Sequence, residues 1–163
     1  MSEPLGDHHD RAAFTCGVES LDRYFKQQAT QDVRRHIAAV HVFSEAGTVA
    51  GYYTLSALSV YVRDLPEALA KRMPRHPLPA TLLGRLARDL RYRDQGLGEM
   101  LLYDAIELTV YASAQIATIG MVVDAENGHA FRFYERFGFE PFTTTPRRLI
   151  LRLETMRRLV EDR

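Results

Sequence analysis

Arg93-Asp94-Gln95-Gly96-Leu97-Gly98 sets two glycines directly ahead of a run that opens an amphipathic pattern, with Arg91 just upstream. Glycine has no Cβ, so at 96 and 98 a ligand can come within hydrogen-bonding reach of the backbone N–H groups. If a helix begins there, its first N–H groups have no intrahelical acceptor and sit at the positive end of the helix dipole. The chemistry of that combination is anion binding, phosphate above all, with Arg91 and Arg93 adding charge at the rim. A dinucleotide fingerprint needs a third glycine where this chain has Leu101, and a P-loop needs Gly-Lys-Ser/Thr, which is absent. The glycines also fit a packing role, in which Gly96 ends a turn and Gly98 lets a helix lie close to a strand. Spacing by itself leaves both readings open.

The elements that must position this loop follow from periodicity and punctuation. Residues 18–35 carry Leu21, Tyr24, Phe25 and Gln28 at helical spacing, with Glu19 and Ser20 as capping candidates. Residues 38–62, rich in Val, Tyr and Thr, read as two strands joined by a hairpin at Glu45-Ala46-Gly47. Residues 64–80 hold four of the seven prolines and read as a loop with at most a short helix, ended by Pro74, Pro77 and Pro79. The apolar run 81–90 suits an interior strand that delivers the chain to the glycines. Beyond Gly98, Leu101, Ala105, Leu108 and Ala112, flanked by Leu102 and Ile106, predict a long helix with one buried face. Residues 116–125 predict a further strand. In 127–139, Ala130, Phe133, Tyr134 and Phe137 share a helical face and Gly138 stands where a glycine would end the helix. Residues 147–153 close the set as a strand, and 154–163 form a short polar tail or helix. The sum is a mixed α/β layer architecture, expected as a single domain over 1–163.

Composition narrows the class. The chain has 163 residues, 46% of them hydrophobic, enough for one core. Charge balances at 21 basic and 21 acidic residues, so net charge argues for neither nucleic acid nor an anionic membrane. The distribution is uneven: Arg63–Arg93 carries eight basic residues against three acidic. A single cysteine, Cys16, rules out an intrachain disulfide framework and suits a reduced, cytoplasmic setting; no apolar run approaches a membrane span. Asp7, His8, His9 and Asp10 are metal-ligand types, but adjacent histidines lack the spacing of a rigid zinc site, and no metal is expected.

Arg93–Gly98 resembles the Arg/Gln-x-x-Gly-x-Gly/Ala signature of the GCN5-related N-acetyltransferases, the GNAT family. Further along, "AFRFYERFGF" at 130–139 is similar to that family's second signature, Ala-x-x-Phe-Tyr-x-x-x-Gly-Phe, and the element order agrees over 14–153. The resemblance implies a GNAT fold of the α/β (α+β) type, a central mixed and mostly antiparallel sheet of about six to seven strands flanked by helices. It implies acetyl-CoA as acyl donor, its pyrophosphate held by the amides of Gln95, Gly96, Leu97 and Gly98, with Asp94, Glu99, Arg91 and Arg93 around it. The main chain of Leu86, Ala87 and Arg88 would receive the pantetheine arm and acetyl carbonyl. Arg88 departs from the family pattern, which has a small β-branched residue there. Asn127 caps the helix that carries Tyr134 or meets the cofactor.

Three stretches, 14–32, 73–89 and 133–139, are similar to the acetyltransferase toxins of toxin-antitoxin systems that acetylate aminoacyl-tRNA. That likeness implies an aminoacyl-tRNA substrate, a ribbon-helix-helix antitoxin and a homodimer. A small-molecule amine or protein N-terminus as acceptor, and a catalytically silent acyl-CoA- or antitoxin-binding module, remain alternatives.

Amide formation from a thioester needs a neutral amine, donors for the charge developing on the acyl oxygen, and a proton source for the departing thiolate. The motif match makes Tyr134 that source, since a phenol with an ordinary pKa near 10 is protonated at neutral pH. Spacing alone would make Tyr134 a core residue on an aromatic stripe. No Glu or His stands out as a general base, which suits an α-amino acceptor whose pKa of about 7.7 to 8.0 leaves it partly neutral. Within the basic stretch, Arg72, Arg75 and Arg85 are candidates for tRNA phosphates, set against a plain solvated surface.

Overall fold

The computed structural model describes residues 1–162. Seven strands form one sheet in the order β1-β2-β3-β4-β5-β7-β6. They are β1 (Glu3–Pro4), β2 (Ala39–Glu45), β3 (Thr48–Val60), β4 (Leu78–Arg88), β5 (Gly120–Asp124), β6 (Glu140–Pro141) and β7 (Arg148–Arg152). β4 and β5 run parallel, whereas the β1–β2, β2–β3, β5–β7 and β6–β7 pairs are antiparallel. The mixed, mostly antiparallel sheet matches the architecture expected from the sequence. Among the described residues six α-helices accompany it: α1 (Glu19–Arg23), α2 (Ala29–Arg34), α3 (Glu67–Ala70), α4 (Leu97–Ala112), α5 (Gly128–Arg136) and α6 (Leu153–Glu161).

The chain divides into two compact units. The first comprises Met1–Ser56 and Leu83–Ala105, the second Ala57–Leu82 and the chain from Ile106 onward. In the first, Phe14, Tyr24, Phe25, Ala29, Val40, Val42, Val49, Tyr52 and Ala87 form one apolar core. Phe25 stacks on Tyr52 with ring centroids 4.3 Å apart, and Phe14 meets both rings edge-on. In the second unit, Val60, Leu65, Leu69, Leu78, Ala80, Val122, Phe142 and Ile150 form another.

Local chemistry explains most element boundaries. The hairpin between β2 and β3 is a two-residue turn, Ala46 at φ +52° and Gly47 at φ +85°, the doubly left-handed geometry that matches strand twist. Asn127 caps α5 by accepting the Ala130 N–H at 2.9 Å, and Gly138 at φ +99° follows its end.

Four local expectations are corrected. The first helix begins after Val18 with no side-chain cap, so neither Glu19 nor Ser20 serves as its cap. That helix contains a π-helical turn, Tyr24–Gln28, between α1 and α2. The wider turn passes the buried face from Tyr24 and Phe25 to Ala29 and leaves Gln28 exposed. On α4 the buried face is Leu101, Leu102, Ala105, Ile106 and Thr109, while Leu108 is half-buried and Ala112 exposed. Finally, Pro79 lies inside β4 rather than in the preceding loop. As the second residue of the strand it needs no ladder N–H, and its carbonyl accepts the Ile119 N–H at 2.9 Å.

Candidate active site

In the first unit, β4 ends at Arg88 and the chain passes through a 3-10 turn, Leu90–Tyr92, to Asp94 at φ +61° and Gly96 at φ +72° before α4 starts at Leu97. The first bond closing α4 runs from the Met100 N–H to the Gly96 carbonyl at 3.1 Å. The N–H groups of Leu97, Gly98 and Glu99 therefore form the free positive end of a 16-residue helix. A Cβ built at Gly96 or at Gly98 would meet no protein atom within 4 Å. The packing role for Gly98 is thus not the one the fold uses, and the space beside these amides is open to a phosphate. The close-approach glycine is instead Gly51 on β3, where a Cβ would lie 2.8 Å from Leu101 Cδ1 and 2.9 Å from the Ala87 carbonyl oxygen.

The turn ahead of the glycines is fastened by Asp89, a residue with no role assigned from the sequence. Its fully buried carboxylate accepts Arg91 Nε (2.9 Å) and Nη2 (3.0 Å), the Arg91 N–H (2.8 Å) and the Thr15 N–H (3.1 Å). Burial by itself pushes this carboxyl up, but the hydrogen bonds from Arg91 and Thr15 outweigh it and hold the group at about 2. Arg91 is thereby fixed as a cation with its outer edge exposed, and Arg93 donates from Nε to the Leu90 carbonyl at 3.2 Å. Asp94, Gln95 and Glu99 are exposed, and Leu97 is buried. On β4, Leu86 and Arg88 are half-buried while Ala87 belongs to the core, and Arg88 Nη1 is buried without a hydrogen-bond partner.

In the second unit, α5 carries Ala130, Phe133, Tyr134 and Phe137, all half-buried on one face as their spacing predicts. Phe133 and Phe139 pack against the Tyr134 ring at centroid distances of 5.3 and 5.2 Å. The Tyr134 hydroxyl makes no hydrogen bond among the described residues. The other packed tyrosines differ: Tyr24 donates to Asp32 (2.8 Å), Tyr52 to the Leu21 carbonyl (2.7 Å) and Tyr53 to Asp104 (2.5 Å). The Tyr134 hydroxyl is therefore a donor that no protein acceptor among the described residues engages. Burial, with a smaller push from the Glu126 carboxylate, raises the Tyr134 phenol to about 12. Asn127 is exposed and engaged as the α5 cap.

The candidate tRNA arginines are not equivalent. In the second unit, Arg72 pairs with Glu154 at 3.2 Å and Arg75 is exposed. In the first, Arg85 is half-buried with its guanidinium 3.5 Å from the centroid of the Tyr24 ring.

Cys16 and the N-terminal histidines, to which the sequence assigns no chemistry, are placed as follows. Burial pushes the Cys16 thiol up to about 11, the wrong direction for a nucleophile. Ligand atoms of Glu3, His8 and His9 fall within 4.8 Å of one another. However, the Gly6 N–H donates to His9 Nδ1 at 3.0 Å, so neutral His9 carries its proton on Nε2 and donates it to Glu3 at 2.6 Å.

The mixed sheet, with a strand, glycine loop and helix in succession, is the architecture expected of an acyltransferase of the coenzyme A class. The chain belongs to the acetyltransferase (GNAT) family, whose family model matches residues 6–139, and the acyl donor of that family is acetyl-CoA. It is 32% identical over 97% of its length, and 93% of the relative's, to a probable toxin TacT of Sinorhizobium fredii. It is 35% identical over 97% of its length, and 95% of the relative's, to a tRNA-acetylating toxin of Mycobacterium tuberculosis. Among solved structures it is similar to AtaT complexed with acetyl-methionyl-tRNAfMet, with a TM-score of 0.90, 28% identity and 98% of both chains covered. It is similar as well to a tyrosine-to-phenylalanine mutant of AtaT bound to the C-terminus of the antitoxin AtaR and acetyl-CoA, with a TM-score of 0.84, 26% identity, and 99% of this chain and 97% of that one covered.

Proposed function

We propose that this protein transfers the acetyl group of acetyl-CoA to the α-amino group of an aminoacyl-tRNA, and acts as a translation-blocking toxin restrained by an antitoxin. The observation that carries the catalytic part is the Tyr134 hydroxyl, which alone among the packed phenols compared above has no partner. The tRNA and antitoxin parts draw support from the relatives named as tRNA-acetylating toxins and from AtaT in complex with acetyl-methionyl-tRNAfMet and with AtaR.

Acetyl-CoA supplies an activated acyl group on a thiolate leaving group. The open amides of Leu97 and Gly98 seat its pyrophosphate, with Arg91 held in place by Asp89. The backbone of Leu86–Arg88 lies along the pantetheine arm. Tyr134 donates a hydrogen bond to the leaving sulfur. With its phenol near 12, full proton transfer to a thiolate of ordinary pKa, about 8.5, runs uphill. The phenol therefore stabilises the developing charge by donation, and the amine's own proton ends on the thiol. An α-amino group is partly neutral at pH 7.5, so no strong base is required.

The test is incubation with acetyl-CoA labelled in the acetyl group and a mixture of charged tRNAs. Label stable on RNA and released with the amino acid as N-acetyl-aminoacyl product supports the reading; label on protein or on a free metabolite overturns it. Tyr134→Phe should bind acetyl-CoA normally and lose roughly a hundredfold or more in kcat. We extend the same reading to a ribbon-helix-helix antitoxin and a homodimer. Co-purification with the product of a neighbouring gene and sedimentation of the isolated chain test these two points.

A further inference from the structure

Among the described residues, five arginines are half-buried: Arg11, Arg85, Arg88, Arg148 and Arg152. Arg11 donates to the Phe25 carbonyl at 2.8 Å, Arg148 grips Asp124 at 2.7 and 2.8 Å, and Arg152 pairs with Glu140 at 2.9 Å. Arg88, whose Nη1 is buried without a partner, and Arg85 make no hydrogen bond and no ion pair among the described residues, and of the two only Arg85 has an aromatic ring beneath it. The Arg85 guanidinium carbon instead lies over the Tyr24 ring, 3.5 Å from its centroid.

The platform beneath it is built. Tyr24 is 6% exposed and sits on the π-helical turn, and its hydroxyl donates at 2.8 Å to Asp32, itself 7% exposed. Gln28 holds the other oxygen of Asp32 at 3.2 Å. The ring engages the guanidinium as a cation over its face, while the five N–H donors have no hydrogen-bond partner among the described residues. A cation engaged by a ring and unpaired at its donors is arranged for a planar or tetrahedral oxyanion, and phosphate takes such a fork bidentately.

We infer that Arg85, held on Tyr24, is a binding residue for a phosphodiester at the acceptor end of the RNA substrate, a role that rests on the aminoacyl-tRNA reading above. Phosphate could also reach Arg85 from coenzyme A, and the experiment separates the two sources. Asp89, not Arg85, is the carboxylate that orders the glycine loop, so removing Arg85 leaves that loop's fastening intact.

The experiment measures binding of an RNA minihelix with a single-stranded CCA end, over a series of salt concentrations, and of acetyl-CoA by calorimetry. Arg85→Ala should weaken the minihelix by roughly tenfold to a hundredfold. It should also flatten the slope of log affinity against log salt by about 0.7, the value for one phosphate contact on a single strand. Acetyl-CoA affinity should not move. Arg85→Lys keeps the charge but lacks the planar fork, and should recover less than half of the lost binding free energy. Tyr24→Phe keeps the ring under Arg85 and should bind the minihelix nearly as well as the wild type. An unchanged minihelix affinity or salt slope in Arg85→Ala, or a loss of acetyl-CoA affinity in its place, overturns the inference. A wild-type chain that binds the minihelix but transfers its label elsewhere overturns the substrate reading and leaves the binding result to judge Arg85 by itself.

Discussion

Asp89 holds Arg91 through both carboxylate oxygens, Nε to Oδ1 at 2.9 Å and Nη2 to Oδ2 at 3.0 Å, and reaches across 74 residues of chain to the Thr15 N–H at 3.1 Å. Through this one side chain the segment before α1 and the turn before the glycine loop become a single fixture. Because the folded carboxyl stands at about 2, below its ordinary value, its contribution is fully present above about pH 4 and disappears as pH falls through 2. Asp89→Asn should cost roughly 2 kcal/mol at pH 7. Thermal unfolding from pH 7 down to 2 should show the two proteins converging at the acid end. A gap that stays constant with pH would contradict the assignment.

Gly98 separates a phosphate cradle from a packing contact. Alanine is the better helix former by about 0.8 to 1 kcal/mol, and its Cβ would meet no protein atom. Gly98→Ala should therefore leave Tm unchanged or raise it while weakening acetyl-CoA at least tenfold, since the methyl group stands where the phosphate must approach. Calorimetry on one sample reads both. A variant with lower Tm and unaltered affinity would restore the packing reading.

Gly51 should behave in the opposite way. A methyl group there collides with Leu101 Cδ1 and the Ala87 carbonyl oxygen, and the latter belongs to backbone that cannot turn aside. Gly51→Ala should destabilise the protein by about 1 to 3 kcal/mol, read by denaturant titration. Equal stability would mean that α4 has room to retreat from β3.

The pH profile of catalysis tests the raised phenol. With Tyr134 at about 12, donation from its hydroxyl persists through the whole working range. For an α-amino acceptor, kcat/KM should climb as the amine loses its proton, level off at about pH 9, and stay level past pH 10. A fall between pH 9 and 10 that vanishes in Tyr134→Phe would place the phenol at its ordinary value instead.

Much of this molecule is legible without coordinates because the signals are local. The Val- and Tyr-rich runs around Ala46-Gly47 announce a hairpin, and Asn127 and Gly138 bracket α5 as cap and terminator. The glycine loop and the aromatic stripe of α5 are read from spacing because helical and strand periods repeat within a few residues. The short strands β1 and β6 escape notice, since two residues carry no period. The π-helical turn escapes as well, because its extra residue is selected by what Tyr24 packs against and not by its neighbours in sequence.

The sequence by itself carried the element order and the two motifs whose resemblance implied the GNAT architecture, and it made the segment around Gly96 and Tyr134 candidates, all from residues near one another along the chain. Tertiary structure alone decided which glycine leaves a cradle open and which admits a helix, for Gly98 and Gly51 differ in what lies beside them and not in kind. It likewise decided that Asp89 fastens Arg91, that Arg85 lies on Tyr24, and that the Tyr134 hydroxyl is unpaired. The Thr15 contact of Asp89 and the seat of Arg85 on Tyr24 join residues 60 or more positions apart, a range over which the one-dimensional pattern carries no periodic signal.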